Sequence, residues 1–117
     1  MTIERVVPIL PTTDFDASRQ FYVDVLGFDV VMEHGWITTF ASPDNPSAQL
    51  SVIDQDATAL VNPAVSIGVS DVEAAHAAAV EAGMEVVHPL TDEAWGVRRF
   101  FVRDPNGIVV NVVGHLA

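Results

Sequence analysis

A strand-helix-strand signature is written twice in this chain, and a duplicated unit constrains the fold more than any other feature. Val7-Pro8-Ile9-Leu10-Pro11-Thr12-Thr13-Asp14-Phe15 leads through Phe21-Tyr22 to Val25-Leu26-Gly27-Phe28-Asp29-Val30-Val31. Val65-Ser66-Ile67-Gly68-Val69-Ser70-Asp71-Val72-Glu73 leads to Val80-Glu81-Ala82-Gly83-Met84-Glu85-Val86-Val87. Both copies read as a strand, a capped helix, a glycine stop and a further strand. A unit this small cannot bury its own apolar face and must pack on its twin, so the seam is a natural place for a ligand.

The spacing predicts a first strand over 3–10, then a helix opened by Thr13 or Asp14. Phe15, Phe21, Tyr22, Val25 and Leu26 give that helix an apolar stripe, and Gly27 ends it. Strands are expected over 28–34, 36–42 and 47–53. In the second copy a strand over 64–69 runs into Ser70-Asp71-Val72-Glu73, the pattern of a capping box, and an alanine-rich helix over 71–82 stops at Gly83. Strands over 85–88, 97–103 and 108–113 follow. Segment 54–63 matches neither copy and reads as a linker. The expectation is one α+β domain over 1–117, built of two tandem βαβββ modules (about 3–53 and 64–114). Their mixed sheets would be curved and cup-like, with the helices on the outer side.

Charge narrows the function. Sixteen acids face five bases, all arginine, for a net charge of −11. Nucleic-acid binding needs a basic footprint, and this chain would repel phosphates. A negative cleft would instead concentrate cations. Cysteine is absent, which removes disulfides, thiolate nucleophiles and zinc-thiolate sites together. No apolar stretch approaches the roughly 20 residues that span a bilayer. The first residues lack a basic segment followed by an apolar run, so a cytoplasmic location without membrane association is expected.

Period-two geometry over Arg98-Arg99-Phe100-Phe101-Val102-Arg103 puts Arg99, Phe101 and Arg103 on one face and Arg98, Phe100 and Val102 on the other. An arginine turned inward either pairs with the acidic surplus or grips a ligand carboxylate. His34, His76, His88 and His115 show no ligand spacing. His76 is expected to face solvent, and His88 before Pro89 reads as a strand end. No catalytic residue is assigned.

Phe21-Tyr22, Val25-Leu26-Gly27-Phe28 and Asp104-Pro105-Asn106-Gly107 before the last strand give the chain a likeness over about residues 5–114. It resembles the vicinal oxygen chelate superfamily, which includes glyoxalase I, extradiol dioxygenases and bleomycin-resistance proteins, and most of all its glyoxalase-like bacterial members. In metal-dependent members His, Glu or Gln ligands stand on the first and last strands of each module. Aligned on Asp14 and Asp71, those positions fall on Val7, Gln49, Val65 and Asn111, with Ser51 and Ser66 as neighbours. Two valines and two neutral amides make a poor cage for a divalent cation, so no metal and no other cofactor is expected.

The resemblance also implies a homodimer, with a cavity built between modules. Gln49 and Asn111 then become candidate ligand-orienting groups, against the alternative that they bond neighbouring backbone. Trp36 and Trp95 stand near where such a cavity opens. There they could stack on a flat ligand or hold a cation, with Glu93 adding negative charge and Arg99 an inward guanidinium. Three functions remain in view. The favoured one is metal-free binding of a small aromatic compound that can be cationic. The second is a metal-independent isomerase, lyase or hydrolase acting on a small metabolite. A metal-dependent glyoxalase or dioxygenase is the least favoured.

Overall fold

The computed structural model describes residues 1–116. Its element order is β1 (Ile3–Pro11), α1 (Phe15–Arg19) continued by a π-helical segment (Gln20–Val25), β2 (Asp29–Glu33), β3 (Ile37–Ala41) and β4 (Gln49–Ile53), followed by β5 (Val65–Val69), α2 (Val72–Glu81), β6 (Val86–Glu93), β7 (Val97–Arg103) and β8 (Val109–His115). The chain is therefore α+β, a βαβββ plan carried out twice. It divides into two compact units, one over Val7–Asn62 and one that joins Met1–Val6 to the chain from Pro63 onward.

In the Val7–Asn62 unit the strands lie in the order β2-β3-β4-β1. β1 and β4 run parallel with Ile9 opposite Ser51, while the β2–β3 and β3–β4 pairs are antiparallel. Asp14 caps α1, its carboxylate accepting from Ala17 N–H at 3.0 Å. The single helix expected up to Gly27 changes character at Gln20, where Leu26 N–H bonds back to Phe21 C=O at 3.1 Å. The wide turn sets the Tyr22 ring 6.0 Å from Phe28 and 5.2 Å from Phe40, which is wholly buried. Phe21, Val25 and Leu26, expected in the packed stripe, are instead exposed, at 50%, 67% and 55%. Gly27 follows with φ +87°, a left-handed conformation that only glycine enters at no steric cost. Ile9, Ile37 and Ile53 form the apolar cluster, with Met32 and Trp36 against it. Segment 54–62 is a folded loop: buried Asp56 accepts from Thr58 and Ala59 N–H at 3.0 Å, and Asn62 accepts from Asp56 N–H at 2.8 Å.

In the other unit β5-β8-β7-β6 lie in that order. β5 and β8 are parallel with Ser66 opposite Asn111, and the remaining pairs are antiparallel. Val69, Val72 and Phe100 make the core between sheet and α2, joined by Ile67, Val86, Leu90, Val102 and Val112. The capping box expected at Ser70 and Glu73 is not what caps α2. Asp71 accepts from Ala74 N–H at 3.0 Å, while Ser70 exchanges bonds with Thr2 at 2.7 and 3.0 Å and Glu73 reaches Arg98. Asp71 stands one residue nearer the first free N–H groups, so the serine is left to tie down the chain start. His76 is half-buried rather than solvent-facing, edge-on to Phe100 at 5.0 Å.

β6 runs to Glu93, beyond the expected end at residue 88. Pro89 is tolerated because β6 is last in the strand order, where a missing N–H costs no ladder bond. Two register shifts interrupt its pairing with β7, between Val86 and His88 and between His88 and Thr91.

Candidate functional site

Alternation along β7 turns Phe100 toward α2 and Arg99 and Phe101 to the opposite face. Phe101 is wholly buried and Arg99 is 4% exposed. The guanidinium of Arg99 stands over two rings, 4.7 Å from the centroid of Phe101 and 5.0 Å from that of Trp95. Its Nε donates to Glu93 Oε2 at 2.5 Å. His88 Nε2 lies 3.2 Å from the same oxygen, and the His88 ring is 4.9 Å from Phe101. The structure thus brings together three sequence-predicted residues, Glu93, Trp95 and Arg99, in one buried cluster.

The cluster also holds a residue that sequence reasoning passed over. His88 and Glu93 are five apart, a spacing that puts them on opposite faces of a regular strand. The register shift between His88 and Thr91 changes that phase and turns both side chains inward. No motif in the sequence announces such bulges, apart from Pro89 itself. The chemistry expected of Trp95 and Glu93, a cation held on an aromatic face beside a carboxylate, is present with Arg99 as the cation.

Asn111, on β8, is opposite Phe101 and is 8% exposed. Its Nδ2 donates to Ser66 Oγ at 3.0 Å, and its Oδ1 is buried with no hydrogen-bond partner. Among the described residues it is the one buried side-chain polar atom left so. An unpaired buried carbonyl oxygen costs about 1–3 kcal/mol. A neighbouring group that brings an N–H or O–H to it would recover that cost.

The two remaining candidates belong to the other unit. Trp36 is half-buried, stacked on His34 at 6.1 Å and packed against the Ile9, Ile37 and Ile53 cluster. Gln49 is half-buried, and its Nε2 donates to Pro46 C=O at 2.9 Å within the turn before β4. Strand register also separates Gln49 from Asn111. Ser66 precedes Asp71 as Ile9 precedes Asp14, and Ile9 is opposite Ser51, so Ser51 is the counterpart of Asn111. Ser51 is 3% exposed and bonded to Thr39 at 2.6 Å.

The donor set answers the question of a metal. In the Val7–Asn62 unit the strand positions carry Val7, with Gln49 or Ser51. In the other they carry Val65 or Ser66, with Asn111. None is a carboxylate or an imidazole, the groups that hold divalent cations tightly. Among the described residues no three His, Cys, Asp or Glu side chains stand where they could share an ion. These residues do not fit a resident metal.

Charge outside the cluster is organised by Arg98. It donates to Asp92 at 2.5 and 3.1 Å and also meets Glu73. The hydrogen bond from Arg98 holds the Asp92 carboxyl below its usual range, and Asp92 and Glu73 in turn raise the Arg98 guanidinium. No helix among the described residues is long and apolar enough to cross a membrane.

The chain is similar to a glyoxalase/bleomycin resistance protein/dioxygenase superfamily member from Vibrio splendidus 12B01, at 24% identity and TM-score 0.72, covering 97% of this chain and 99% of that one. It is similar to methylmalonyl-CoA epimerase from Mycobacterium tuberculosis at 18% identity and TM-score 0.78, over 98% of this chain and 90% of that one. An extradiol ring-cleaving dioxygenase from B. fuscum matches at 27% identity and TM-score 0.70, over 98% of this chain but 33% of its own. No curated protein matches the sequence. The family model for the Glyoxalase/Bleomycin resistance protein/Dioxygenase superfamily matches residues 2–112, so the chain belongs to that superfamily.

Proposed function

We propose that this protein binds a small aromatic compound without a metal ion, through the sheet face that carries Asn111, Phe101, Arg99 and Trp95. The observation that carries the reading is the buried, unpartnered Oδ1 of Asn111. It calls for a ligand with an N–H or O–H donor, and a net charge of −11 favours a cationic one. Arg99, Glu93 and Trp95 act as a preformed wall, since their mutual contacts need no reorganisation when a ligand arrives. Gln49 and Trp36 are proposed separately, as ligand contacts within the Val7–Asn62 unit. So are a cytoplasmic location and a homodimer, the latter supported by exposed Phe21, Val25 and Leu26.

The test is equilibrium dialysis of purified protein against a panel of aromatic amines and their uncharged analogues, with and without EDTA. The expected result is saturable binding with no turnover, unaffected by EDTA and lost in Asn111→Leu. Binding that needs a divalent ion, or that survives Asn111→Leu unchanged, overturns the reading. Light scattering of the same material reads the dimer.

A second reading has its own support. The contact of His88 with Glu93 is the pairing that orients an imidazole for proton transfer. In a metal-independent isomerase, lyase or hydrolase, His88 would move the proton and Glu93 would set its ring. Consumption of a bound compound by the wild type and not by His88→Gln would favour it over simple binding.

A further inference from the structure

Four of the five arginines meet a carboxylate: Arg19 with Glu33, Arg98 with Asp92 and Glu73, Arg99 with Glu93, and Arg103 with Glu85. Arg5 does not. Among the described residues its side chain has no hydrogen bond and no ion pair, in a chain with sixteen acids. Its position is nevertheless built. The side chain lies across Gly68 on β5, where an added Cβ would come within 2.8 Å of Arg5 Cγ and 3.1 Å of its Nε. Gly68 is not in the left-handed region, so its backbone would accept a side chain. What its missing side chain provides is room for Arg5.

A hollow of about 240 Å³ opens there, lined by Glu4, Arg5, Gly68, Val113, Gly114 and His115. Gly68 is opposite Val113 in the β5–β8 register, so bare backbone and an isopropyl group are neighbours in the lining. Arg5 and His115 supply N–H donors. A water takes about 30 Å³, so the space suits a ligand equivalent to about eight waters. Glu4 in the lining opposes a doubly charged anion.

We propose that this hollow is a binding site for a small monocarboxylate. The two carboxylate oxygens take the parallel N–H bonds of the Arg5 fork, His115 donates to one of them, and the short apolar tail lies against Val113 and Gly68. A guanidinium matches a carboxylate in this bidentate way and a lysine does not. The hollow lies on the sheet face that carries Asn111, two residues along β5 and β8, but its lining shares no residue with Asn111, Phe101, Arg99 or Trp95.

Sodium propionate and, separately, inorganic phosphate are titrated at constant ionic strength into 15N-labelled protein. The resonances followed are Arg5 Nε–H and the amides of Gly68, Val113 and Gly114. Propionate is expected to give saturable shifts at these groups and phosphate a response at least several-fold weaker. Arg5→Gln is expected to raise the apparent Kd by roughly tenfold or more, the scale of a charge-assisted hydrogen bond. Gly68→Ala weakens binding in the same direction, because the new methyl displaces the Arg5 stem. Should Arg5→Gln fail to fold, Arg5→Lys keeps the charge, loses the fork and still binds more weakly. Undiminished propionate binding in Arg5→Gln or Arg5→Lys, no saturable shift in the wild type, or phosphate binding as tight as propionate overturns the proposal.

Discussion

Arg99 Nε stands 2.5 Å from Glu93 Oε2, and each side chain is 4% exposed. Neither charge has water to fall back on. Removing one partner of such a pair leaves the other buried and uncompensated, at about 3–5 kcal/mol. Glu93→Leu and Arg99→Met are each expected to lose about that much in urea unfolding. The double variant should lose less than the two losses added together. Additive losses would mean that the two groups do not depend on each other.

Asp71 and Glu73 separate two accounts of how α2 begins. The Asp71 carboxylate takes the Ala74 N–H, whereas the exposed Glu73 reaches half-buried Arg98. Asp71→Ala should cost about 1 kcal/mol, the usual worth of an N-cap. Glu73→Ala should cost about half that or less, as for an exposed ion pair. Equal losses would restore the capping box.

Asp92 gives the fold an acid-sensitive contact. The Arg98 hydrogen bond depresses its folded-state pKa, so the ionised carboxylate stabilises the native state. That contribution is complete above the unfolded value of about 4 and disappears as pH falls through the lower folded value. Asp92 is exposed and Arg98 half-buried, so solvent screening keeps the effect small. Arg98→Gln should flatten the fall of Tm with pH between about pH 5 and pH 2 while leaving the slope near neutrality unchanged. Parallel wild-type and variant curves across the acid range would remove Arg98 from this role.

Asn111→Leu should leave stability within about 1 kcal/mol of the wild type, because it deletes one hydrogen bond to Ser66 and one unpaired oxygen together. A thermal melt without ligand checks this. A loss above about 3 kcal/mol would make Asn111 a structural residue rather than a binding one.

Most of the architecture was legible in the residues, because the determinants of its elements are local. Asp14 caps α1 by reaching the N–H three residues on, and Gly27 and Gly83 end the helices at positive φ, although α2 is capped by Asp71 and not by the expected Ser70. The alternation of β7 correctly separated Arg99 and Phe101 from Phe100. The first helix was less legible. A wide turn after Gln20 shifts the phase that a 3.6-residue stripe assumes, and Phe21, Val25 and Leu26 are exposed.

The candidate site divides along the same line. Glu93, Trp95 and Arg99 could be singled out from residue type and strand position. That Trp95 and Glu93 hold Arg99, that His88 joins them, and that Ser66 is the partner of Asn111 could not. By itself the sequence determined the repeated plan and its glycine stops. Only the tertiary structure decided which polar groups satisfy one another. Bulges and inter-strand register depend on how distant segments pair, and a shift of one residue turns a side chain to the opposite face.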